Sequence, residues 1–150
     1  MKLFKTIYDL AIDLDEFSTR IMLNGKLLVD EPCFVKTFDG KYGAAGKRAI
    51  LMHDARWKRP TSFKTIKPLE NGTICDCKAF EFMFWEFIKM IFERAHIHNN
   101  IFNRPVFRLT LYVPSYTIES IKGHLSCPPL KFRIKDYEFV DKPTTISQYC

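Results

Sequence analysis

The chain has 150 residues and a mass of 17.7 kDa, enough to bury one core but too short for a two-domain enzyme with a cleft between its domains. Its composition, 47% hydrophobic and 27% charged residues, excludes a disordered or collagen-like chain. There is no uncharged apolar run of about 18 residues and no secretory signal. The five cysteines are odd in number and irregularly spaced, so we expect a cytoplasmic protein with reduced thiols.

The net charge of +6 is concentrated in one stretch of the chain. Between Lys47 and Lys67, seven Lys or Arg residues stand against a single acid, Asp54. Charge runs of this kind are usually a solvated surface. The alternative is a patch that attracts nucleic acid, anionic lipid or an acidic protein surface.

The first part of the chain predicts short strands. Tyr8–Leu14 is an apolar run, and Thr19–Gly25 ends in an Asn-Gly pair, which is typical of a hairpin leading into Lys26–Val29. Cys33–Phe38 is a further extended segment. A short helix is predicted near Gly46–Met52, and the remainder of the basic stretch is predicted to be irregular.

The second part of the chain predicts two helices and two strands. Ala79–His96 is the clearest helix, and because its polar positions 86, 89 and 93 fall within one narrow arc, it is expected to pack on a sheet and on a second element. Phe107–Val113 alternates as a strand, Ser115 or Thr117 caps a short helix, and Tyr137–Val140 is the last strand. The order of elements predicts an α/β fold with a mixed sheet and helices on its faces.

Three groups of residues are candidate metal ligands. The Cys75-x-Cys77 and His96-x-His98 pairs have shorter spacers than structural zinc sites use, and no matching pair completes four ligands. Asp13, Asp15 and Glu16 follow the first strand and could hold a divalent ion, although a solvated turn explains them more simply. We therefore expect no metal site.

Five segments in order resemble the N-terminal part of the MreB/Mbl rod-shape-determining family of bacterial actin homologues. The first resembles the family's opening strand and phosphate loop, "D-[IL]-[AS]-I-D-L-G-T", and the third resembles "I-R-P-[LM]-K-D-G-V-I-A-D". The segments are Asp9–Leu14, Leu23–Pro32, Ile66–Asp76, Tyr112–Glu119 and Glu138–Pro143. The resemblance implies the ribonuclease-H-like half of the actin/Hsp70 fold.

The resemblance also locates a nucleotide site, and the sequence departs from the family there. The first phosphate loop corresponds to residues 13–19, with Asp15, Glu16 and Phe17 where the family has glycine and small polar residues. Carboxylates repel phosphate unless a cation intervenes. Lys142 stands where the family has the glutamate that positions the attacking water. The nucleotide-binding loop is therefore expected to be degenerate, and it consists of Asp13, Asp15, Glu16, Phe17, Ser18 and Thr19, of which only the last two keep the family pattern.

Two apolar segments match positions where the family contacts the membrane. Ile101 and Phe102 lie at the tip of the loop after the long helix, and Leu3 and Phe4 lie in the N-terminal segment beside lysines. Burying two such side chains yields only ~3–6 kcal/mol before entropy losses. We expect weak peripheral contact with the inner membrane face, unless these residues simply cover the edge of the core.

These observations predict one MreB-like N-terminal domain over residues 1–150, with a small insert at about 36–66 and without the second actin-fold domain. The predicted function is a truncated, cell-shape-associated interaction module that is not an enzyme and has no ATP or magnesium cofactor. Expected partners are a second copy or a chain that supplies the missing domain. The alternatives are an ATP-dependent filament protein completed by another chain or a swapped dimer, and, more weakly, a nucleic-acid or anionic-lipid binder using Lys47–Lys67.

Overall fold

The computed structural model of the protein describes residues 7–51, 63–70, 73–97, 105–113, 118–125 and 133–141. Within these ranges the strands and helices follow in the order β1 (Ile7–Leu14), β2 (Ser18–Leu23), β3 (Lys26–Pro32), β4 (Val35–Phe38), β5 (Lys41–Ala45), α1 (Lys47–Leu51), β6 (Phe63–Ile66), β7 (Leu69–Glu70), β8 (Thr73–Ile74), α2 (Cys77–Arg94), β9 (Val106–Val113), α3 (Ile118–Leu125) and β10 (Arg133–Asp141).

A five-stranded mixed sheet in the order β10-β9-β1-β2-β3 forms the centre of the fold. The strands β1, β2 and β3 are antiparallel neighbours, and β9 and β10 add to β1 in parallel. Every second residue of β1 from Leu10 to Leu14 is buried, which is the pattern of a strand with one face on the core. Asn24 and Gly25 both have positive φ, as the predicted two-residue hairpin requires.

The long helix α2 packs on this sheet. It begins and ends two residues earlier than predicted because Asp76 is the N-cap, and the Asp76 carboxylate accepts a hydrogen bond from the Ala79 N–H at 3.0 Å. The ring of Phe92 stands edge-on to Phe107 of β9, with centroids 5.6 Å apart. None of the helices in the described ranges is long and apolar enough to cross a membrane.

A second, three-stranded sheet in the order β5-β4-β6 covers another side of α2. Tyr42 of β5 stacks on Phe82 of α2, with ring centroids 5.4 Å apart. The wide apolar surface of α2 is therefore explained by packing against two sheets, as the sequence predicted. Lys36 of β4 is only 2% exposed, and its Nζ lies 5.9 Å from the centroid of the Phe63 ring.

The strands β5 to β8 were not predicted from the sequence, which treated residues 46–72 as irregular apart from one short helix. Two of them, β5 and β6, form through pairing with β4, and the β4–β5 ladder shifts register between Lys36 and Thr37. Such a shift breaks the alternation of apolar and polar residues by which a strand is recognised. β10 begins four residues before the predicted Tyr137 for the same reason, since its register shifts between Ile134 and Asp136.

Candidate functional site at the β1–β2 turn

The candidate site lies at one edge of the five-stranded sheet. The strands β1, β9 and β10 are parallel, and the pairings of Asp13 with Tyr112 and of Val113 with Asp141 show that their carboxyl ends are level. In α/β folds, ligands bind at the carboxyl ends of parallel strands. The residues after β1, which the resemblance assigns to the phosphate loop, therefore lie at the edge where a ligand is expected.

The turn after β1, residues 15–17, is closed by the side chain of Asp15. Its Oδ1 accepts hydrogen bonds from the backbone N–H groups of Phe17 at 2.7 Å and Ser18 at 2.8 Å. The backbone N–H of Asp15 donates to the carbonyl oxygen of Ser18 at 3.1 Å. Backbone N–H groups at such turns are the donors that hold phosphate in nucleotide-binding proteins. Here a carboxylate of the chain itself occupies two of them.

Hydrogen bonds from buried residues also attach the turn to the core. Thr19 and Cys33 are both buried, and the Thr19 hydroxyl lies 3.1 Å from the Cys33 thiol. The Cys33 thiol donates to the carbonyl oxygen of Asp15 at 3.3 Å, and the Cys33 N–H donates to that of Phe17 at 3.0 Å. These contacts hold the turn in one conformation, and they direct the Thr19 hydroxyl into the core.

The outer side of the turn presents an aromatic ring with a cation above it. Phe17 is 65% exposed, and the Nζ of Lys67 lies 5.3 Å from the centroid of its ring. The Asp13 carboxylate faces Arg20 at 3.8 Å across the β1–β2 pair. An exposed aromatic ring and a carboxylate that faces an arginine therefore line the outer side of the turn.

The structure describes only some of the other candidate residues. Among the described residues, no group of three or more His, Cys, Asp or Glu side chains could hold a metal ion. Cys75 and Cys77 are both exposed thiols. Lys142, the membrane-contact candidates Leu3, Phe4, Ile101 and Phe102, and His98 lie outside the described residues.

Glu31 was not among the candidate residues predicted from the sequence. This carboxylate is buried at the end of β3, accepts a hydrogen bond from the Lys47 N–H at 3.1 Å, and faces the Lys47 ammonium at 3.6 Å. It lines a groove of about 330 Å³ between α1 and α2. The signal was present, because Glu31 belongs to a segment that resembles a family motif.

Comparisons with known proteins test the resemblance. The sequence model of the MreB/Mbl protein family matches residues 7–115. The cell shape-determining protein MreB of Pasteurella multocida is 32% identical over 111 residues, covering 71% of this chain and 30% of that protein. MreB of Haemophilus influenzae is 32% identical over 114 residues, with the same coverage. The chain thus spans about a third of the length of these relatives.

Solved structures show the same fold. MreB 5 of Spiroplasma citri bound to AMPPNP superimposes with a TM-score of 0.61 at 20% identity, covering 92% of this chain and 39% of that one. A MamK double helical filament gives a TM-score of 0.61 at 12% identity, covering 89% and 41%. These likenesses confirm the predicted actin-like fold.

The AMPPNP in the Spiroplasma structure gives no support to the expectation that the chain has no cofactor. That expectation, and the expectation of no enzymatic activity, therefore depend on the β1–β2 turn and on Lys142 of this chain. The family model that matches most of the chain and the 32% identity to two MreB proteins agree with the fold, and the chain belongs to the MreB/Mbl protein family.

Proposed function

We propose that this chain is an MreB-like cytoskeletal protein that acts in cell shape as an interaction module and does not hydrolyse ATP. The observation that carries the proposal is the Asp15 carboxylate, which accepts hydrogen bonds from the two backbone N–H groups of Phe17 and Ser18. Phosphate would have to displace this carboxylate, and both groups are anionic, so an exchange without a bridging cation is unfavourable.

The sequence supports the same proposal at a second position. The family's glutamate, which positions the attacking water, corresponds to Lys142 in this chain. An ammonium group has three donors and no acceptor, so it cannot take a proton from water. Even a nucleotide that reached the edge of the sheet would lack the group that activates water.

Interaction is proposed as self-association. The actin-like relatives include a MamK double helical filament, and the fold of this chain is similar to that protein over 89% of its residues. We propose a second copy of this chain, or a separate chain, as the partner.

Phosphate release tests the absence of hydrolysis. The purified chain, incubated with Mg-ATP, is expected to release no more phosphate than the buffer alone, and Asp15→Asn serves as a matched variant that keeps an oxygen acceptor. Phosphate release by the wild-type chain that scales with its concentration would contradict the proposal, whether or not the Asp15→Asn variant also releases phosphate.

A single alternative is favoured by a specific observation. AMPPNP bound to MreB 5 of Spiroplasma citri is an argument for an ATP-dependent filament protein, completed here by another chain or a swapped dimer. Sedimentation velocity over a wide range of concentration separates the two functions. Self-association that is independent of nucleotide supports the interaction module, whereas assembly only with Mg-ATP supports the alternative.

A further inference from the structure

Two cysteine side chains flank the N-cap of α2, away from the β1–β2 turn. Cys75 and Cys77 are free thiols and both are exposed, whereas Cys33 is buried. The proposed function uses neither of them. An exposed thiol is available to ligands and reagents, so the question is whether the two act separately or together.

The residue between the two cysteines has an extended backbone. Asp76, between them, has φ −138° and ψ 103°, which is an extended conformation. In an extended segment, successive side chains alternate in direction, so residues two apart are the ones that can share a side. The Asp76 carboxylate itself accepts the hydrogen bond from Ala79 that begins the helix, so this side chain is engaged with the backbone of α2.

The two thiols are also within reach of one shared atom. Two residues of extended chain span at most about 7 Å between Cα atoms, and each thiol can turn about its own χ1. Cys75 is held in place, because its N–H donates to the Pro68 carbonyl oxygen at 2.8 Å. Its thiol approaches the Thr73 carbonyl oxygen at 3.6 Å and the Glu70 carboxylate at 4.0 Å, so a proton acceptor lies beside it.

We propose that Cys75 and Cys77 form a dithiol site that binds one thiophilic atom of the class of monovalent copper or trivalent arsenic. Soft thiolate ligands select such atoms. Two sulfurs are enough to hold monovalent copper, or a trivalent arsenic that already carries one organic group. No cluster of three or more potential metal ligands occurs in the part of the chain that the structure describes. A two-sulfur site therefore suits this position, whereas a four-ligand zinc site does not.

Phenylarsine oxide is the probe that tests the pair. Both thiols lose their protons, two S–As bonds form, the As–O bond breaks, and the oxygen leaves with the two protons as water, while arsenic stays trivalent. An arsenic atom held by one thiol transfers to excess glutathione, whereas one held in a ring by two thiols persists and is released by dithiothreitol. Intact mass after a glutathione challenge thus distinguishes a dithiol from two separate thiols.

The expected result is one glutathione-resistant adduct per chain. Trypsin cuts after Lys64 and Lys78 but not before Pro68, so the adduct should map to the peptide of residues 65–78. Cys75→Ser and Cys77→Ser should each abolish it, and the matched control Cys33→Ser should keep it. Both serine variants replace exposed side chains, so an unchanged Tm confirms that they fold.

Two results would overturn the proposal. One is a wild-type chain whose adducts all transfer to glutathione. The other is a resistant adduct that survives in Cys75→Ser, which would assign the site to other cysteines. Neither result bears on ATP hydrolysis, so this proposal and the proposed function can fail separately.

Discussion

Gly46→Ala is the substitution that most directly tests how the small sheet is joined to α2. Gly46 links β5 to α1 and has a φ of +70°, a conformation that L side chains rarely adopt. A Cβ at this position would lie 2.6 Å from Oε1 of Glu31 and 2.9 Å from a ring carbon of Phe87. Both neighbours are buried, so neither can move aside without disturbing the core.

The size of the effect follows from two contributions. The left-handed conformation costs an alanine about 1–2 kcal/mol. Overpacking a filled site costs a further ~1–3 kcal/mol. The expected loss for Gly46→Ala is therefore about 3 kcal/mol. Gly40→Ala is the matched control, because Gly40 has a φ of +81° but nothing within 4 Å of its added Cβ, so it should lose only the first contribution.

Urea unfolding at 25 °C measures both variants. With a urea m value of about 2 kcal/mol/M, Gly46→Ala should lower the midpoint by ~1.5 M and Gly40→Ala by less than ~1 M. Equal losses in the two variants would refute the reasoning, because they would mean that Glu31 and Phe87 do not enclose Gly46.

Three further predictions test other parts of the account. Asp76→Ala removes the N-cap of α2 and should cost about 1 kcal/mol in urea unfolding, whereas Asp76→Asn, which keeps the acceptor, should cost less. Burial, with the nearby Asp76 and Glu81 carboxylates, raises the pKa of Tyr42 above 10.0. The folded chain thus holds the Tyr42 hydroxyl proton more tightly than the unfolded chain does. The resulting stability is present below about pH 10 and is lost as the pH rises further. Above that pH, the Tm should therefore fall more steeply in the wild type than in Tyr42→Phe. Ile101→Asp combined with Phe102→Asp should abolish co-sedimentation with anionic liposomes without lowering the Tm, and unchanged co-sedimentation would contradict the membrane contact predicted from the sequence.

The central sheet and the long helix could be predicted from the sequence because local signals agree with tertiary packing there. The alternation in β1, the Asn24-Gly25 pair and the apolar surface of α2 all report the environment in which these residues lie. The small sheet was missed since β6 depends on pairing with β4, which is 25 or more residues earlier in the chain. Its own Phe63-Lys64-Thr65-Ile66 segment has no clear alternation, and strand propensity depends on such partners.

The candidate site, like the fold, could be predicted from the sequence only in part. The sequence identified Asp15 as an acid in a phosphate-loop position, and from it charge repulsion and the space taken by the side chain were predicted, but no hydrogen bond. The hydrogen bonds of Asp15 to the Phe17 and Ser18 N–H groups depend on the path of the backbone after β1. The contact between the Lys67 ammonium and the Phe17 ring involves residues fifty positions apart, and no local sequence pattern predicts such a contact.

Thermal unfolding of the purified chain with and without Mg-ATP tests the central claim most directly, because a ligand that binds only the folded state must raise its stability. ATP bound with a Kd of ~10 μM and added at ~1 mM would stabilise the chain by about 2.7 kcal/mol, which raises the Tm by roughly 5–10 °C. Since the Asp15 carboxylate occupies the backbone donors of the turn, we expect one cooperative transition at the same Tm in both samples. A rise of several degrees with Mg-ATP would contradict the account, because it would show that nucleotide binds despite the closed turn.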